Sequence, residues 1–158
     1  MKNLVVYESP IGRISIADDG HAITDIFFGK LHALQTRFKT KDTELNHRVI
    51  AELTEYFEGK RQQFTLPLSL QGTPFQVSVW EALQEIPYGE TRSYRDIAQV
   101  IGNPNSYRAV GLANNKNPIS IVVPCHRVIG ANGDMIGYGG GLNKKKRLLD
   151  LEKEIANK

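Results

Sequence analysis

The chain has 158 residues, of which 41% are apolar, and it carries a net charge of +3. This length can bury a core as one unit or as two small ones, and no apolar run is long enough to span a bilayer. The N-terminal stretch has no signal-peptide core, and the single cysteine, Cys125, excludes an internal disulfide. The sequence therefore predicts a globular cytoplasmic protein, and one cysteine with four scattered histidines shows no zinc-type ligand spacing and predicts no metal site.

Charge is distributed unevenly along the chain. Residues 1–72 hold nine basic and nine acidic side chains, whereas residues 73–158 hold eleven and eight. A basic bias in one half favours a polyanion as partner of that half. An ordinary solvated surface explains so small a surplus equally well.

The first 72 residues predict a sheet with one helix. Asp19-Gly20 separates two β-rich runs, which indicates a hairpin. A helix follows and ends near Gly59, which suits a C-terminal cap, and the stretch "FTLPLSL" is expected to return to the sheet. The apolar stripe of this helix is Val49, Leu53 and Phe57.

A boundary between two domains, 1–72 and 73–158, is predicted at "QGTPF". Gly72 breaks the preceding pattern, Thr73 can cap a helix, and Pro74 suits its first turn. The next helix carries its own apolar stripe, with Trp80 beside it. That stripe is Phe75, Val79, Leu83 and Ile86.

Two short helices follow, separated by a Gly/Asn/Pro turn that suggests a helix-turn-helix. The first, "SYRDIAQVIG", is expected to end at Gly102, and Ser106 is expected to cap the second, "YRAVGLANN". The second helix carries the small residues Ala109, Gly111 and Ala113. The local sequence favours tight helix packing as their explanation. The alternative is close approach to nucleic acid, in which case Arg108 would reach into the partner.

Cys125 lies in the apolar run "SIVVPCHRVI". A buried cysteine is usually an inert small hydrophobe, but His126 places a base or a cation beside the sulfur, and the thiolate is the reactive form. Glu152 has apolar helical neighbours and is therefore predicted to face the core, where carboxylates are rare unless paired. The sequence thus predicts a Cys/His/Glu constellation.

The string "IVVPCHRVIG" resembles the active-site segment of the O6-alkylguanine-DNA alkyltransferases, and further matching strings cover residues 73–152. They include "RAVGLANNKNP" and "GYGGGLNKKKRLLDLE", whereas the first 70 residues match only in general character. The resemblance implies an α/β N-terminal domain of ribonuclease-H-like type. It also implies a mainly α C-terminal domain with a winged-helix-like helix-turn-helix.

The resemblance also implies an activity and a partner. The activity is that of a methylated-DNA–protein-cysteine methyltransferase, which transfers an alkyl group irreversibly from O6-alkylguanine in DNA to Cys125, once per chain. O4-alkylthymine is expected as a second substrate, and no cofactor is expected. The partner is double-stranded DNA, bound by a monomer through the minor groove with the damaged nucleotide flipped out.

Catalytic roles follow from the same resemblance. Cys125 is expected to be the acceptor nucleophile, His126 the base that takes its proton through a water, and Glu152 the carboxylate that orients the imidazole. Tyr94 is expected to donate to guanine N3, and Asn117 to be the hinge between the recognition helix and the active-site strand.

Binding roles follow as well. Arg108 is expected to fill the gap left by the flipped nucleotide, and the backbone carbonyls of Cys125 and Val128 to accept from the guanine amino group. Gly139 stands where some members carry a serine, which removes a hydroxyl from the O6 contact. The residues expected at the DNA are Tyr94, Arg108, Ala109, Gly111 and Ala113, and those expected in the substrate pocket are Trp80, Val128, Tyr138 and Gly139.

Two alternatives have distinct requirements. A thiol hydrolase with a Cys/His/Glu site would turn over repeatedly and would need an oxyanion hole, which the sequence does not identify. A DNA-damage-binding module of the same family would not need an acceptor. Such alkyltransferase-like proteins lack the acceptor cysteine, so Cys125 argues against this alternative.

Overall fold

The computed structural model describes residues 1–29, 37–133, 138 and 141–158. The chain forms two compact units, Met1–Ser69 and Leu70–Lys158. Within the described ranges, no helix combines the length and the apolar character that crossing a bilayer requires.

The N-terminal unit is built on a four-stranded sheet with the order β3-β2-β1-β4. Pairing is antiparallel from β1 to β2 and from β2 to β3, and parallel from β1 to β4. The predicted hairpin is confirmed, and Gly20 turns the chain there with φ +94. The strands are β1 (Lys2–Ser9), β2 (Gly12–Asp18), β3 (Ile23–Phe28) and β4 (Phe38–Thr40).

One helix, α1 (Glu44–Phe57), accompanies this sheet. Thr43 closes its first turn by a capping box, and Gly59 follows its end with φ +76, as predicted. The stretch "FTLPLSL" contributes only an isolated bridge between Leu68 and Ile23. The predicted return to the sheet is therefore shorter than expected, because Pro67 has no N–H to continue a ladder.

The C-terminal unit is mainly helical. Two two-residue strands pair in parallel, and a 3-10 helix spans Cys125–Arg127 just before the second of them. The helices are α2 (Pro74–Leu83), α3 (Tyr94–Val100), α4 (Tyr107–Asn115) and α5 (Leu142–Ala156), and the strands are β5 (Arg92–Ser93) and β6 (Val128–Ile129).

A side-chain cap accounts for the start of two of the four helices in this unit. Thr73 caps α2 by a capping box, as predicted, and Ser93 caps α3 in the same way. Ser106 precedes α4 but does not cap it, because its hydroxyl donates instead to the Asn103 carbonyl at 2.7 Å. The predicted Ser106 cap is therefore wrong, although α4 begins where expected.

Tight packing joins α2 to α4. The Trp80 indole N–H donates to the Ala113 carbonyl at 2.9 Å, and both side chains are buried. A Cβ at Gly72 would come within 2.7 Å of the Trp80 ring, so only glycine allows the chain to pass so close to the indole.

Candidate active site

Cys125 opens the 3-10 helix, and only 4% of it is exposed. Burial raises the pKa of its thiol to about 11, although a hydrogen bond from the Asn117 side chain and the charge of Lys145 act in the opposite direction. The thiol is therefore protonated at neutral pH in this structure. Both opposing groups would favour the thiolate once a base removes the proton.

His126 and Glu152 form a buried pair, with 2.7 Å between Nε2 and Oε2. An ionised carboxylate can only accept, so Nε2 carries the hydrogen. Burial lowers the pKa of His126, and the Arg127 and Lys145 charges lower it further, while Glu152 raises it. The neutral imidazole therefore presents Nδ1 as an acceptor. Nδ1 is buried, and no described residue donates to it.

Glu152 comes from α5, and both of its oxygens are committed. Arg127 donates from Nε to Oε1 at 2.7 Å and from Nη2 to Oε2 at 3.0 Å, and its Nη1 donates to the Ile86 carbonyl at 2.9 Å. Burial alone would raise the pKa of Glu152, but His126 and Arg127 together hold it well below its usual range. The carboxylate is therefore a fixed negative charge between an imidazole and a guanidinium.

Arg127 is absent from the predicted site. The string "PCHRV" indicates chemistry through its cysteine and histidine, whereas an arginine is expected to be exposed by default. A signal was available, because a carboxylate predicted to be buried requires a cationic or hydrogen-bonding partner, and Arg127 is the nearest cation to the cysteine in the sequence.

Lys145 is a second basic residue of the site that its sequence pattern does not predict. It is fully buried, and its Nζ donates to the Val128 carbonyl at 2.6 Å. Burial lowers the pKa of its ammonium, while a thiolate at Cys125 raises it. Three consecutive lysines at 144–146 indicate a solvated face, but Lys145 lies seven residues before Glu152 and hence on the same face of α5.

Two asparagines fix the loop that leads to the cysteine. Asn117 donates to the Val123 carbonyl at 2.7 Å and accepts from the Ile119 N–H at 3.0 Å. Asn114 is buried and donates to the Cys125 carbonyl at 3.3 Å, which also accepts from the Val128 N–H. Of the two carbonyls expected to bind the guanine amino group, that of Cys125 accepts from two donors and that of Val128 accepts from Lys145.

Two tyrosines lie within electrostatic reach of the thiol. Burial raises the pKa of Tyr94, and a thiolate at Cys125 raises it further. Burial also raises the pKa of Tyr138 well above its usual value, and a Cys125 thiolate and the charge of Glu152 act in the same direction. Both hydroxyls therefore stay protonated and can donate. Tyr94 begins α3, and a Cβ at Gly111 would lie 3.8 Å from its ring.

The other predicted residues divide into exposed and buried ones. Arg108 and Ala109 are exposed at the start of α4. Ala113 and Trp80 are 3% and 2% exposed and pack against each other. Both side chains pack between α2 and α4, and the expectations that Ala113 contacts DNA and that Trp80 lines the pocket stay predictions. Gly139 lies outside the described residues.

Comparison with protein-family models gives two matches that together span most of the chain. Residues 74–154 match "6-O-methylguanine DNA methyltransferase, DNA binding domain". Residues 5–70 match "6-O-methylguanine DNA methyltransferase, ribonuclease-like domain". The candidate site lies entirely within the first match.

Individual relatives cover nearly the whole chain. The methylated-DNA–protein-cysteine methyltransferase of Mycobacterium tuberculosis is 48% identical over 150 residues, covering 94% of this chain and 91% of that protein. The protein of the same name from Methanosarcina acetivorans is 50% identical over 149 residues, covering 93% and 96%. The crystal structure of Mycobacterium tuberculosis OGT in complex with DNA matches with a TM-score of 0.90 and 47% identity, covering 97% and 94%. This chain belongs to the family of methylated-DNA–protein-cysteine methyltransferases, the O6-alkylguanine-DNA alkyltransferases.

Proposed function

We propose that this chain repairs DNA by direct reversal, transferring the alkyl group of O6-alkylguanine to Cys125. Family membership supports the reaction type. One observation carries the assignment of residues: beside the single cysteine, His126 presents a buried Nδ1 with no described donor, while its Nε2–H is bound to Glu152. That imidazole is held in the tautomer that a base requires.

The proposed step balances as a proton transfer and a displacement. His126 Nδ1 takes the thiol proton through an intervening water, and the sulfur attacks the alkyl carbon. The bond between that carbon and O6 breaks, and its electron pair moves into the guanine. The Tyr94 hydroxyl donates a hydrogen bond to N3 as this charge develops, guanine N1 takes up a proton from water, and the imidazolium of His126 returns its proton to water. The products are a thioether at Cys125 and an unmodified guanine.

Glu152 and Arg127 support this step without taking part in proton exchange. Because the pKa of Glu152 is held well below its usual range, the carboxylate stays ionised and stabilises the imidazolium that forms at His126. Asn117 and Lys145 stabilise the developing thiolate, since both lower the pKa of Cys125. The reaction therefore draws on charges that are already in place.

The same chemistry makes the protein a single-use reagent. A thioether offers no acyl carbon that a base-activated water could attack, so the alkyl group stays on the sulfur. Each chain should repair one base. This distinguishes the proposal from a thiol hydrolase, which would release its product and react again.

DNA is proposed to approach the C-terminal domain (73–158) at the start of α4. Arg108 and Ala109 are exposed there, and Gly111 presents no side chain. We infer minor-groove binding by a monomer through a winged-helix-like arrangement, with Arg108 filling the gap left by the flipped nucleotide. The Val128 carbonyl has a second lone pair for the guanine amino group, and Tyr138 and Gly139 would lie beside the base. O4-alkylthymine would be a second substrate.

The N-terminal domain (1–72) is proposed to be ribonuclease-H-like, which its matched family description supports. We also place the protein in the cytoplasm, because a reducing compartment keeps a lone acceptor thiol in its reduced form.

The Cys125→Ser variant tests the assignment of the acceptor. An alcohol is far less acidic than a thiol, so the variant should bind duplex DNA as the parent does but transfer no alkyl group. Binding is measured by fluorescence anisotropy, and transfer by the loss of O6-methylguanine from the oligonucleotide. Equal loss of binding and transfer would show that Cys125 is structural, and unchanged transfer would place the acceptor elsewhere.

A further inference from the structure

Three side chains meet where α3 and α4 begin: Arg95, Tyr107 and Arg108. The guanidinium carbon of Arg95 lies 4.1 Å from the centre of the Tyr107 ring, and that of Arg108 lies 5.8 Å from the same ring. Two cations therefore share one aromatic platform, and Arg95 is the more closely stacked.

Neither guanidinium is neutralised by a carboxylate within the described part of the chain. Arg92, three residues before Arg95, forms an ion pair with Glu90 at 3.0 Å. Arg95 and Arg108 are exposed and form no ion pair with any described residue. The neighbouring carboxylate of Asp96 accepts from the Ser93 N–H at 2.9 Å in the capping box of α3. The two arginines are thus a local excess of positive charge.

Stacking prepares Arg95 to bind an anion. A guanidinium laid on a ring keeps its N–H groups directed outward along its edge, and that fork matches two oxygens of a phosphate. Two like charges near one ring also repel each other, so an anion beside them is attracted to both. Arg108, at the outer limit of contact with the ring, can leave it at little cost.

We propose that Arg95, seated on Tyr107, binds a backbone phosphate of duplex DNA. This contact is additional to the role proposed for Arg108, and it rests on the proposed function because it takes DNA as the partner. When Arg108 enters the base stack, Arg95 remains on the ring and holds the strand beside the flipped nucleotide. A phosphate contact does not depend on the DNA bases, so the contribution of Arg95 to binding should be the same for damaged and undamaged duplexes.

Salt dependence of binding to an undamaged duplex tests the contact. Each phosphate neutralised contributes about 0.9 to the slope of log K against log salt concentration. Arg95→Gln should therefore reduce that slope by about one and weaken binding several-fold at low salt. The matched control is Arg92→Gln, whose guanidinium is already paired with Glu90. An unchanged slope for Arg95→Gln, or an equal change in both variants, would overturn the proposal.

Two variants test the platform itself. Tyr107→Phe keeps the aromatic ring and should retain the parent slope. Tyr107→Leu removes the ring and should lower the slope and the affinity in the direction of Arg95→Gln. A Tyr107→Leu variant with the parent slope and affinity would show that the ring does not position Arg95.

Reaction with free O6-alkylguanine base separates this proposal from the proposed function. Arg95→Gln should react with the free base at the parent rate, because no phosphate is involved. If the parent transfers an alkyl group but the slopes do not differ, the phosphate contact alone is wrong. If the slopes differ as expected but the parent transfers nothing to Cys125, the contact stands and the repair function is wrong.

Discussion

At the scale of single residues, the burial of Cys125 has a chemical consequence. With the pKa of its thiol raised to about 11, the reactive thiolate is scarce at neutral pH. Small electrophiles in solution should therefore alkylate the resting protein slowly. Fast transfer requires a substrate that holds its alkyl carbon at the sulfur while His126 removes the proton.

Iodoacetamide measures this directly. Below the pKa, the thiolate fraction rises tenfold per pH unit, so the alkylation rate of the folded protein should rise about tenfold per unit between pH 7 and pH 9. The chain unfolded in urea should instead approach a plateau near the free-thiol pKa of about 8.5. A plateau for the folded protein at or below pH 8 would mean that Lys145 or His126 already stabilises a thiolate in the resting state.

The loop before Cys125 shows what residue patterns do not predict. Ile121 is 1% exposed and has φ +73, a conformation that β-branched residues rarely adopt and that costs about 1–3 kcal/mol. Neighbouring hydrogen bonds and the two bonds of Asn117 hold it there. The β-branched run "SIVVP" favours an extended strand, and the residue pattern does not reveal the hydrogen bonds within residues 117–125 that close a tight loop instead.

At the scale of elements, Glu152 ties α5 to the 3-10 helix through two partners. Glu152→Gln would leave the buried Arg127 guanidinium without a carboxylate, so we expect the free energy of unfolding to fall by about 3–5 kcal/mol. The double variant Glu152→Gln with Arg127→Met removes both charges and should recover much of this loss. Urea unfolding of the parent, the two single variants and the double variant measures the coupling.

The same four proteins separate structure from chemistry. The double variant should transfer slowly even where it is stable, because the carboxylate that stabilises the His126 imidazolium is gone. Strictly additive losses of stability would show that Arg127 and Glu152 do not depend on each other. Transfer at the parent rate in the double variant would show that Glu152 serves the fold only.

Arg108 is exposed at the start of α4. It should affect the rate of alkyl transfer only when the damaged base has to leave a DNA duplex. Arg108→Ala cannot fill the vacated position, so the flipped state loses support, and extrusion costs a few kcal/mol. We expect the second-order rate with methylated duplex to fall at least about tenfold, while the rate with the free base stays unchanged. An equal fall in both rates would assign Arg108 to the pocket or the fold.

Local sequence signals predicted where the helices begin and end, but not how the helices pack against each other. The predicted cap at Thr73 and the predicted helix end at Gly59 are confirmed, because both features depend on residues only a few positions away. The contact between Trp80 and Ala113 was not predicted, because it depends on the packing of α2 against α4, which no sequence spacing specifies. Gly72 is a local residue that depends on this packing, since any side chain there would collide with the Trp80 indole.

At the scale of the whole molecule, the sheet order and the completed site both depend on contacts distant in sequence. The parallel pairing of β4 with β1 follows from no local pattern. Within the C-terminal unit, Cys125, His126 and Glu152 were predicted as a set from signals in the sequence. These signals are a single cysteine with a histidine beside it and a glutamate with apolar helical neighbours. Arg127 and Lys145 were not, because basic residues are solvated by default and their burial appears only once α5 is packed.

Intact-mass spectrometry shows whether Cys125 accepts one alkyl group per chain, on which the proposed function depends. The protein is mixed with an excess of duplex containing O6-methylguanine, and the mass of the protein and the amount of repaired DNA are followed together. We predict that every chain gains the mass of one methyl group, that the modified peptide contains Cys125, and that repair stops when the repaired DNA equals the protein. Continued repair by a protein of unchanged mass would contradict the account.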